Sequence, residues 1–160
     1  MGAQFEPQES VASAECHAAA VRISGVCFRF PKTEFELSID QWTVDGGQHV
    51  AVIGPSGSGK TTLLHLLAGI YEPLEGEINI GAVPVHRLAD AARRDLRIRQ
   101  IGFVFQNFEL VEYLNVQENI VLPYLVSGSL QISADVWSRA AELAESVGLE
   151  QRLNRNVRRL

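Results

Sequence analysis

The stretch of sequence that decides the fold runs from His49 to Gly69 and reads HVAVIGPSGSGKTTLLHLLAG. It opens with a short, almost continuous apolar run, HVAVIG, which is typical of a strand buried on both faces of a parallel sheet. It closes with leucines spaced to give a broad apolar surface, which predicts a helix over Thr61–Ile70. Between the two lies GPSGSGKT, which fits the pattern G-x-x-x-x-G-K-[ST] in its usual strand–loop–helix setting.

This pattern suits a site for nucleotide phosphates because of the chemistry it brings together. Phosphate oxygens can lie against backbone N–H groups only where side chains are absent, as at Gly54, Gly57 and Gly59. The following helix points the positive end of its dipole at the anion, and Lys60 adds a full charge. A simple glycine- and serine-rich turn is the competing interpretation, and the strand–loop–helix context argues against it. The predicted nucleotide site comprises Gly54, Pro55, Ser56, Gly57, Ser58, Gly59, Lys60, Thr61 and Thr62.

The segments around the loop predict an α/β protein. Residues 1–20 carry no hydrophobic period and are expected to form a flexible extension. Two alternating stretches, VRISGVCFRF and FELSIDQWTV, predict antiparallel strands, and EINIGAVPV and IGFVF predict two more, the last one buried. Helices are expected over residues 89–99, 116–126 and 133–147, with Pro123 bending or ending the second. Four arginines on the first of these are interpreted as a solvated helix face: Arg93, Arg94, Arg97 and Arg99.

Composition narrows the class of protein further. The formal net charge is −5 and the pI is about 5.4, which argues against a general nucleic-acid binder. No apolar run approaches the ~18 residues that predict a membrane-spanning helix, and the N-terminus does not have the pattern of a secretory signal. Cys16 and Cys27 are interpreted as free thiols. These features predict a cytoplasmic chain that reaches a membrane only through a partner.

Three stretches carry a resemblance to a known family. They are the helix ending in LLAG followed by a Pro-Gly turn and GEI, the segment IGFVFQ, and FELVEYLNVQENI. Together with the phosphate loop they resemble the nucleotide-binding domain of ATP-binding cassette (ABC) transporters, in the branch that powers lipoprotein release and macrolide export. The resemblance covers Val21–Leu160.

The resemblance implies a P-loop NTPase (RecA-like) core with an N-terminal antiparallel β-unit and the start of a helical subdomain. Residues 21–106 would hold the β-unit and phosphate-loop core, and 107–160 the Q-loop and the first part of the helical subdomain. ATP and Mg²⁺ are the implied ligands, with Lys60 and Gln106 in catalytic roles and Thr61 and Gln106 at the metal. Phe30 would stack on adenine, although a core residue at a strand end is an equally good interpretation.

The resemblance also implies partners. A membrane-spanning transporter subunit would dock on residues 106–123, with Phe108, Leu110 and Tyr113 exposed, and would hold the protein at the cytoplasmic face of the membrane. The complete ATPase would act as a homodimer. No nucleic acid is expected.

Parts of the family's pattern are missing from the sequence. After Gln106 there is no second apolar strand ending in Asp-Glu, no LSGGQ signature and no switch histidine. The chain is therefore expected to be the N-terminal portion of an ABC-type ATPase. By itself, this portion is expected to bind nucleotide but not to hydrolyse it. The alternative is a non-hydrolysing nucleotide- or subunit-binding module. A phosphate-loop kinase is disfavoured because neither an NKxD motif nor an arginine-rich lid is present.

Overall fold

The computed structural model describes residues 3–4, 19–107 and 109–159. The chain divides into two compact units, residues 1–97 and 98–160, and the division falls within a helix. Phe108, Leu160 and most of the predicted N-terminal extension lie outside the described residues.

The first unit is built on a five-stranded sheet. Its strands are β1 (Ala3–Gln4), β2 (Ala19–Arg29), β3 (Glu36–Asp45), β4 (Glu75–Ile80) and β5 (Val83–Pro84), and their order across the sheet is β1-β3-β2-β4-β5. All neighbouring pairs are antiparallel except β1 and β3. The predicted antiparallel pairing of the first two long strands is thus confirmed.

Apolar side chains on alternate positions of these strands form the core. They pack with the buried leucines of helix α1 (Lys60–Leu67). The most fully buried members are Ile23, Val26, Leu37, Ile39, Leu63, Leu66, Ile78 and Val85. This core fixes α1 on the sheet and thereby places the loop that leads into it.

One close backbone approach governs the centre of the sheet. The register between β2 and β4 shifts between Ser24 and Cys27, and both glycines there have positive φ, 59° at Gly25 and 90° at Gly76. A β-carbon on Gly76 would lie only 2.3 Å from the carbonyl oxygen of Gly25. Only glycine can therefore occupy position 76.

Two strand predictions were wrong. Residues 48–55, which include HVAVIG, form no strand, and Val50 and Ile53 are 50% and 88% exposed. IGFVF likewise forms no strand, with Val104 86% exposed. An apolar run becomes a buried strand only where neighbouring strands accept its hydrogen bonds and cover its faces. No described segment of the chain does this for either run.

Helix α2 (Asp90–Gln100) corrects the interpretation of its arginines as a solvated face. Arg93 is only 8% exposed and pairs with Glu72, and Arg97 donates to backbone carbonyls at the end of α1. Arg94 and Arg99 fit the prediction, since both are exposed. Arg94 pairs with Asp90 one turn away, and Arg99 donates to the carbonyl of Ser129. The interpretation from charge did not take account of the carbonyl groups at the end of α1, which accept hydrogen bonds from Arg97.

The second unit is helical. Helix α3 (Val116–Val126) and helix α4 (Ala134–Ser146) pack on each other, with Val121, Ala140 and Ala144 buried. Pro123 does not end α3, which continues for three more residues. Other apolar residues at α4 stay open, with Leu143 and Val147 46% and 69% exposed. Among the described residues no helix is both long and apolar enough to cross a bilayer.

Candidate functional site

The loop between residue 53 and α1 has the backbone shape that its glycines predict. Gly57 and Gly59 adopt left-handed conformations, with φ of 80° and 92°. A β-carbon at Gly59 would approach Phe35 Cζ to 3.1 Å and Leu37 Cδ1 to 3.2 Å, and one at Gly54 would approach Ser58 Oγ to 2.9 Å. Backbone conformation thus favours glycine at Gly57 and Gly59, and close packing adds to this preference at Gly59.

Helix α1 begins with its backbone donors open. Its N-cap residue is Gly59, no side chain accepts a hydrogen bond from the first turn, and that turn holds no acidic residue. The first N–H groups of a helix have no partner within the helix and form its positive dipole end. The start of α1 is therefore chemically suited to an anion.

Lys60 brings a full positive charge to the same place. Its ammonium donates to the carbonyl oxygens of Gly54 at 2.9 Å and Pro55 at 2.7 Å, and to Ser58 Oγ at 3.4 Å. These partners are neutral, and no ion pair to Lys60 forms within the described part of the chain. The charge is held in place over the loop but not neutralised.

The two threonines after Lys60 differ in environment. Thr61 is exposed, so its hydroxyl is open to a ligand. Thr62 is 8% exposed, so its backbone N–H rather than its side chain would face an anion. Pro55 and Ser56 are both exposed on the outer part of the loop.

Phe30 follows directly after β2 and belongs to an aromatic cluster. Its ring centroid lies 4.9 Å from that of Phe28, 5.4 Å from Tyr71 and 5.6 Å from Phe35. The ring is half-buried, as a residue packed at a strand end would be. It is held by ring packing next to Phe35, which in turn contacts the loop at Gly59.

Gln106 lies in the second unit and its side chain is exposed. Nearby, Leu110 and Tyr113 are 50% and 85% exposed, as predicted, while Phe108 lies outside the described residues. The described residues hold no cluster of three or more His, Cys, Asp or Glu side chains placed to bind a metal.

The stretch LNVQEN forms a tightly bonded start to α3. The Asn115 side chain accepts from Glu118 N at 2.8 Å, and the Glu118 carboxylate accepts from Asn115 N at 2.8 Å. Asn119 bonds to both the N–H and the carbonyl of Val111. Asn115, Glu118 and Asn119 thus anchor the segment that follows Gln106 to a helix end.

Sequence reasoning missed three residues: Phe35 beside the phosphate loop, and Glu72 and Arg97 at the opposite end of α1. Phe35 had a detectable signal, because it alternates with the buried Leu37 and Ile39 on one strand. For Glu72 and Arg97 there was none, since both contact backbone or charge that is distant along the chain.

Comparison with known proteins agrees with this geometry. Residues 37–160 match the family described as ABC transporter. The uncharacterized ABC transporter ATP-binding protein YbbA of Escherichia coli K12 is 42% identical over 124 residues, which is 76% of this chain and 54% of that protein. The lipoprotein-releasing system ATP-binding protein LolD of Legionella pneumophila strain Paris is 41% identical over 107 residues, 67% of this chain and 46% of that protein.

A solved structure adds the fold. The ATP-binding cassette MJ0796, in a dimeric post-hydrolysis state bound to ADP and Pi, superposes with a TM-score of 0.74 at 30% identity, over 88% of this chain and 62% of that one. The chain spans about half the length of the two curated relatives, YbbA and LolD. With a family match over most of its length, two relatives above 40% identity and the cassette fold, the chain belongs to the ABC transporter family.

Proposed function

We propose that this chain binds the phosphates of ATP or ADP, with Mg²⁺, as part of an ABC-type ATPase that drives transport across a membrane. The observation that carries the proposal is the un-neutralised Lys60 ammonium over a glycine loop whose helix has open N-terminal donors. A nucleotide-bound relative of the same fold supports it.

The loop's own residues assign the roles at the phosphates. Backbone N–H groups from Gly57 to Thr62 would donate to the oxygens, and Lys60 would exchange its carbonyl partners for the terminal phosphates. The exposed Thr61 hydroxyl is an oxygen ligand of the kind Mg²⁺ takes. The sequence resemblance alone assigns Gln106 as a contact to the metal or to water. When bound, Mg²⁺ would neutralise charge on the phosphates.

The aromatic cluster would serve the base. A half-buried ring at Phe30, held by Phe28, Phe35 and Tyr71, has little conformational freedom to lose when a flat ligand stacks on it. Phe35 packs against Gly59, so the same cluster borders the phosphate loop. Base and phosphates would then be held by neighbouring parts of one unit.

The second unit would meet the membrane-spanning subunit. Leu110 and Tyr113 expose apolar surface in the segment after Gln106, and exposed apolar groups in a loop often mark an interface. The relatives, an ABC transporter ATP-binding protein and a lipoprotein-releasing ATP-binding protein, agree with such a partner. Photo-crosslinking from Asn107 or Glu109 in cells should capture a membrane protein. Persistent failure to capture one, with the protein present at normal levels, would count against this surface.

A non-hydrolysing nucleotide-binding module is the second candidate. It describes only what these 160 residues could do by themselves, since they hold the phosphate loop but no apolar strand ending in Asp-Glu after Gln106. Phosphoryl transfer to water needs an oriented water and charge stabilisation as well as a held metal.

Calorimetric titration with ATP, with and without Mg²⁺, tests nucleotide binding. A phosphate-release assay on the same protein tests turnover. Binding that Mg²⁺ strengthens, with no steady release, is expected for these 160 residues. Steady release that the Lys60→Ala variant loses would mean that this chain carries its own catalytic carboxylate.

A further inference from the structure

Helix α1 is short, and its C-terminal end is held by side chains from α2. The helix has eight residues, is capped by Ala68 and is followed by Gly69 with φ of 62°. Arg97 Nη1 donates to the carbonyl oxygen of Ala68 at 3.2 Å and to that of Gly69 at 2.8 Å. These carbonyl oxygens lie at the negative end of the α1 dipole, where no N–H group of the helix itself donates to them.

Arg93 supports the same place from one turn earlier on α2. It is 8% exposed, forms an ion pair with Glu72 in the turn after α1, and its Cδ would lie 3.2 Å from a β-carbon on Gly69. Its Nε is buried with no hydrogen-bond partner among the described residues. The turn Gly69–Glu72 is therefore enclosed by an arginine stem and tied by its guanidinium.

Burying these guanidinium groups has a cost that a solvated helix face would avoid. Desolvation lowers the pKa of Arg97 from its ordinary value, and neighbouring Arg93 and Arg94 lower it further while Asp90 raises it. Arginine nevertheless stays protonated in proteins, so Arg97 carries its charge at the helix end. Two arginines lie here despite this cost, which indicates that the C-terminal end of α1 depends on them.

How the C-terminal end of α1 is held also affects the N-terminal end of the same helix. Lys60 is the first residue of α1, and the donors for phosphate lie in its first turn. A helix of eight residues is too short to hold its own position, because most helical stability in proteins comes from packing. An anion at its start and a guanidinium at its end complement the same dipole.

We infer that Arg97 is a positioning residue for the phosphate loop. By fixing the C-terminal carbonyls of α1, with Arg93 and Glu72 securing the turn beyond, it sets where Lys60 and the first-turn N–H groups are presented. Arg97 touches no nucleotide. The inference rests on the proposed nucleotide site.

The test compares variants on the same helix for binding of ADP and of inorganic triphosphate. Arg97→Met keeps the length of the side chain and removes its charge and donors, and we expect both dissociation constants to rise roughly three- to tenfold. Arg97→Lys keeps a charge that can reach the two carbonyls and should restore most of the affinity. Arg94→Met removes an exposed arginine paired only with Asp90 and should leave both constants unchanged.

A purely structural role predicts a different result. Arg97→Met would then lower the melting temperature and the fraction of binding-competent protein, while the dissociation constant of the folded fraction stayed at the wild-type value. That result would overturn the inference. Should Arg97→Met fail to fold, Arg97→Gln, which keeps a donor without charge, replaces it in the same comparison.

Hydrogen exchange separates this inference from the proposed function. Without nucleotide, Arg97→Met should raise exchange in the amides of α1 (Lys60–Leu67) but not in β2. If the wild type binds neither ligand, the proposed function fails, and faster exchange in α1 still supports the role of Arg97 in holding the helix. If the wild type binds and exchange in α1 is unchanged by the variant, the inference alone fails.

Discussion

At the scale of single residues, the site depends on where charge is left unpaired. Lys60 is surrounded by carbonyl and hydroxyl oxygens, whereas Arg93 and Arg94 pair with carboxylates and Arg97 binds a helix end. An ammonium bonded only to neutral groups can exchange them for phosphate oxygens with little loss, because charged hydrogen bonds are the stronger ones. This difference supports the proposal that Lys60 binds the ligand's phosphates.

Phe30 supplies the first prediction at this scale. Phe30→Ala should weaken ATP binding about three- to tenfold, because a stacked aromatic pair contributes roughly 0.5–1.5 kcal/mol beyond burial. Inorganic triphosphate should bind almost as before, since it has no base. Fluorescence titration with both ligands measures the difference, and Phe30→Tyr, which keeps the ring, is the control. Equal losses for both ligands would show that Phe30 acts by packing the loop through Phe35.

At the scale of elements, the sheet and helix α3 each depend on one local contact. The sheet needs a residue without a side chain where β2 and β4 approach at Gly25 and Gly76. Helix α3 needs the reciprocal bonds between Asn115 and Glu118 at its start. Both contacts can be tested without touching the phosphate loop.

Gly76→Ala should destabilise the first unit strongly. The new methyl group would meet backbone atoms that cannot move independently of β2. Gly81→Ala is the matched control, because Gly81 also has positive φ, 55°, but a β-carbon there meets nothing within 4 Å. Urea unfolding should show about 1–2 kcal/mol lost for Gly81→Ala and clearly more for Gly76→Ala. Equal losses would mean that the backbone approach at residue 76 relaxes freely.

Asn115→Ala should cost the second unit about 1 kcal/mol, the usual cost of losing an N-cap side chain. Glu118→Gln retains an oxygen that can accept from Asn115 N and should cost less. Thermal unfolding followed by circular dichroism compares the two. A larger loss for Glu118→Gln than for Asn115→Ala would indicate that the carboxylate charge, rather than the cap, stabilises the start of α3.

At the scale of the whole molecule, elements that depend on short-range sequence pattern could be predicted. Elements that depend on contacts with distant segments of the chain could not. The alternating strands β2 and β3, helix α1 and helix α4 follow from residue spacing, which acts over a few residues. HVAVIG and IGFVF were predicted as buried strands and are exposed, because burial depends on neighbouring strands that a local pattern cannot supply. Arg97 was placed in solvent for the same reason, since its partners are carbonyls 28 and 29 residues away along the chain.

The residues of the candidate site show the same difference between local and distant contacts. The glycines, Lys60 and Thr61 could be identified from sequence because the loop is contiguous and its residue types indicate a phosphate site. The contacts of Phe35 and Arg97 bring together distant segments and became visible only in the folded unit. Gln106 and Phe30 stay predictions as ligand contacts.

The most direct test of the account is calorimetric titration of Mg²⁺-ATP into the wild type, Lys60→Ala and Lys32→Ala. Lys32 is the other lysine of the chain and is exposed outside the loop, so its loss changes the net charge equally. The account predicts that Lys60→Ala weakens binding by about 1.5–3 kcal/mol, the scale of a hydrogen bond to a charged group, while Lys32→Ala binds like the wild type. Equal affinity in all three proteins would contradict the assignment of Gly54–Thr62 as the phosphate site.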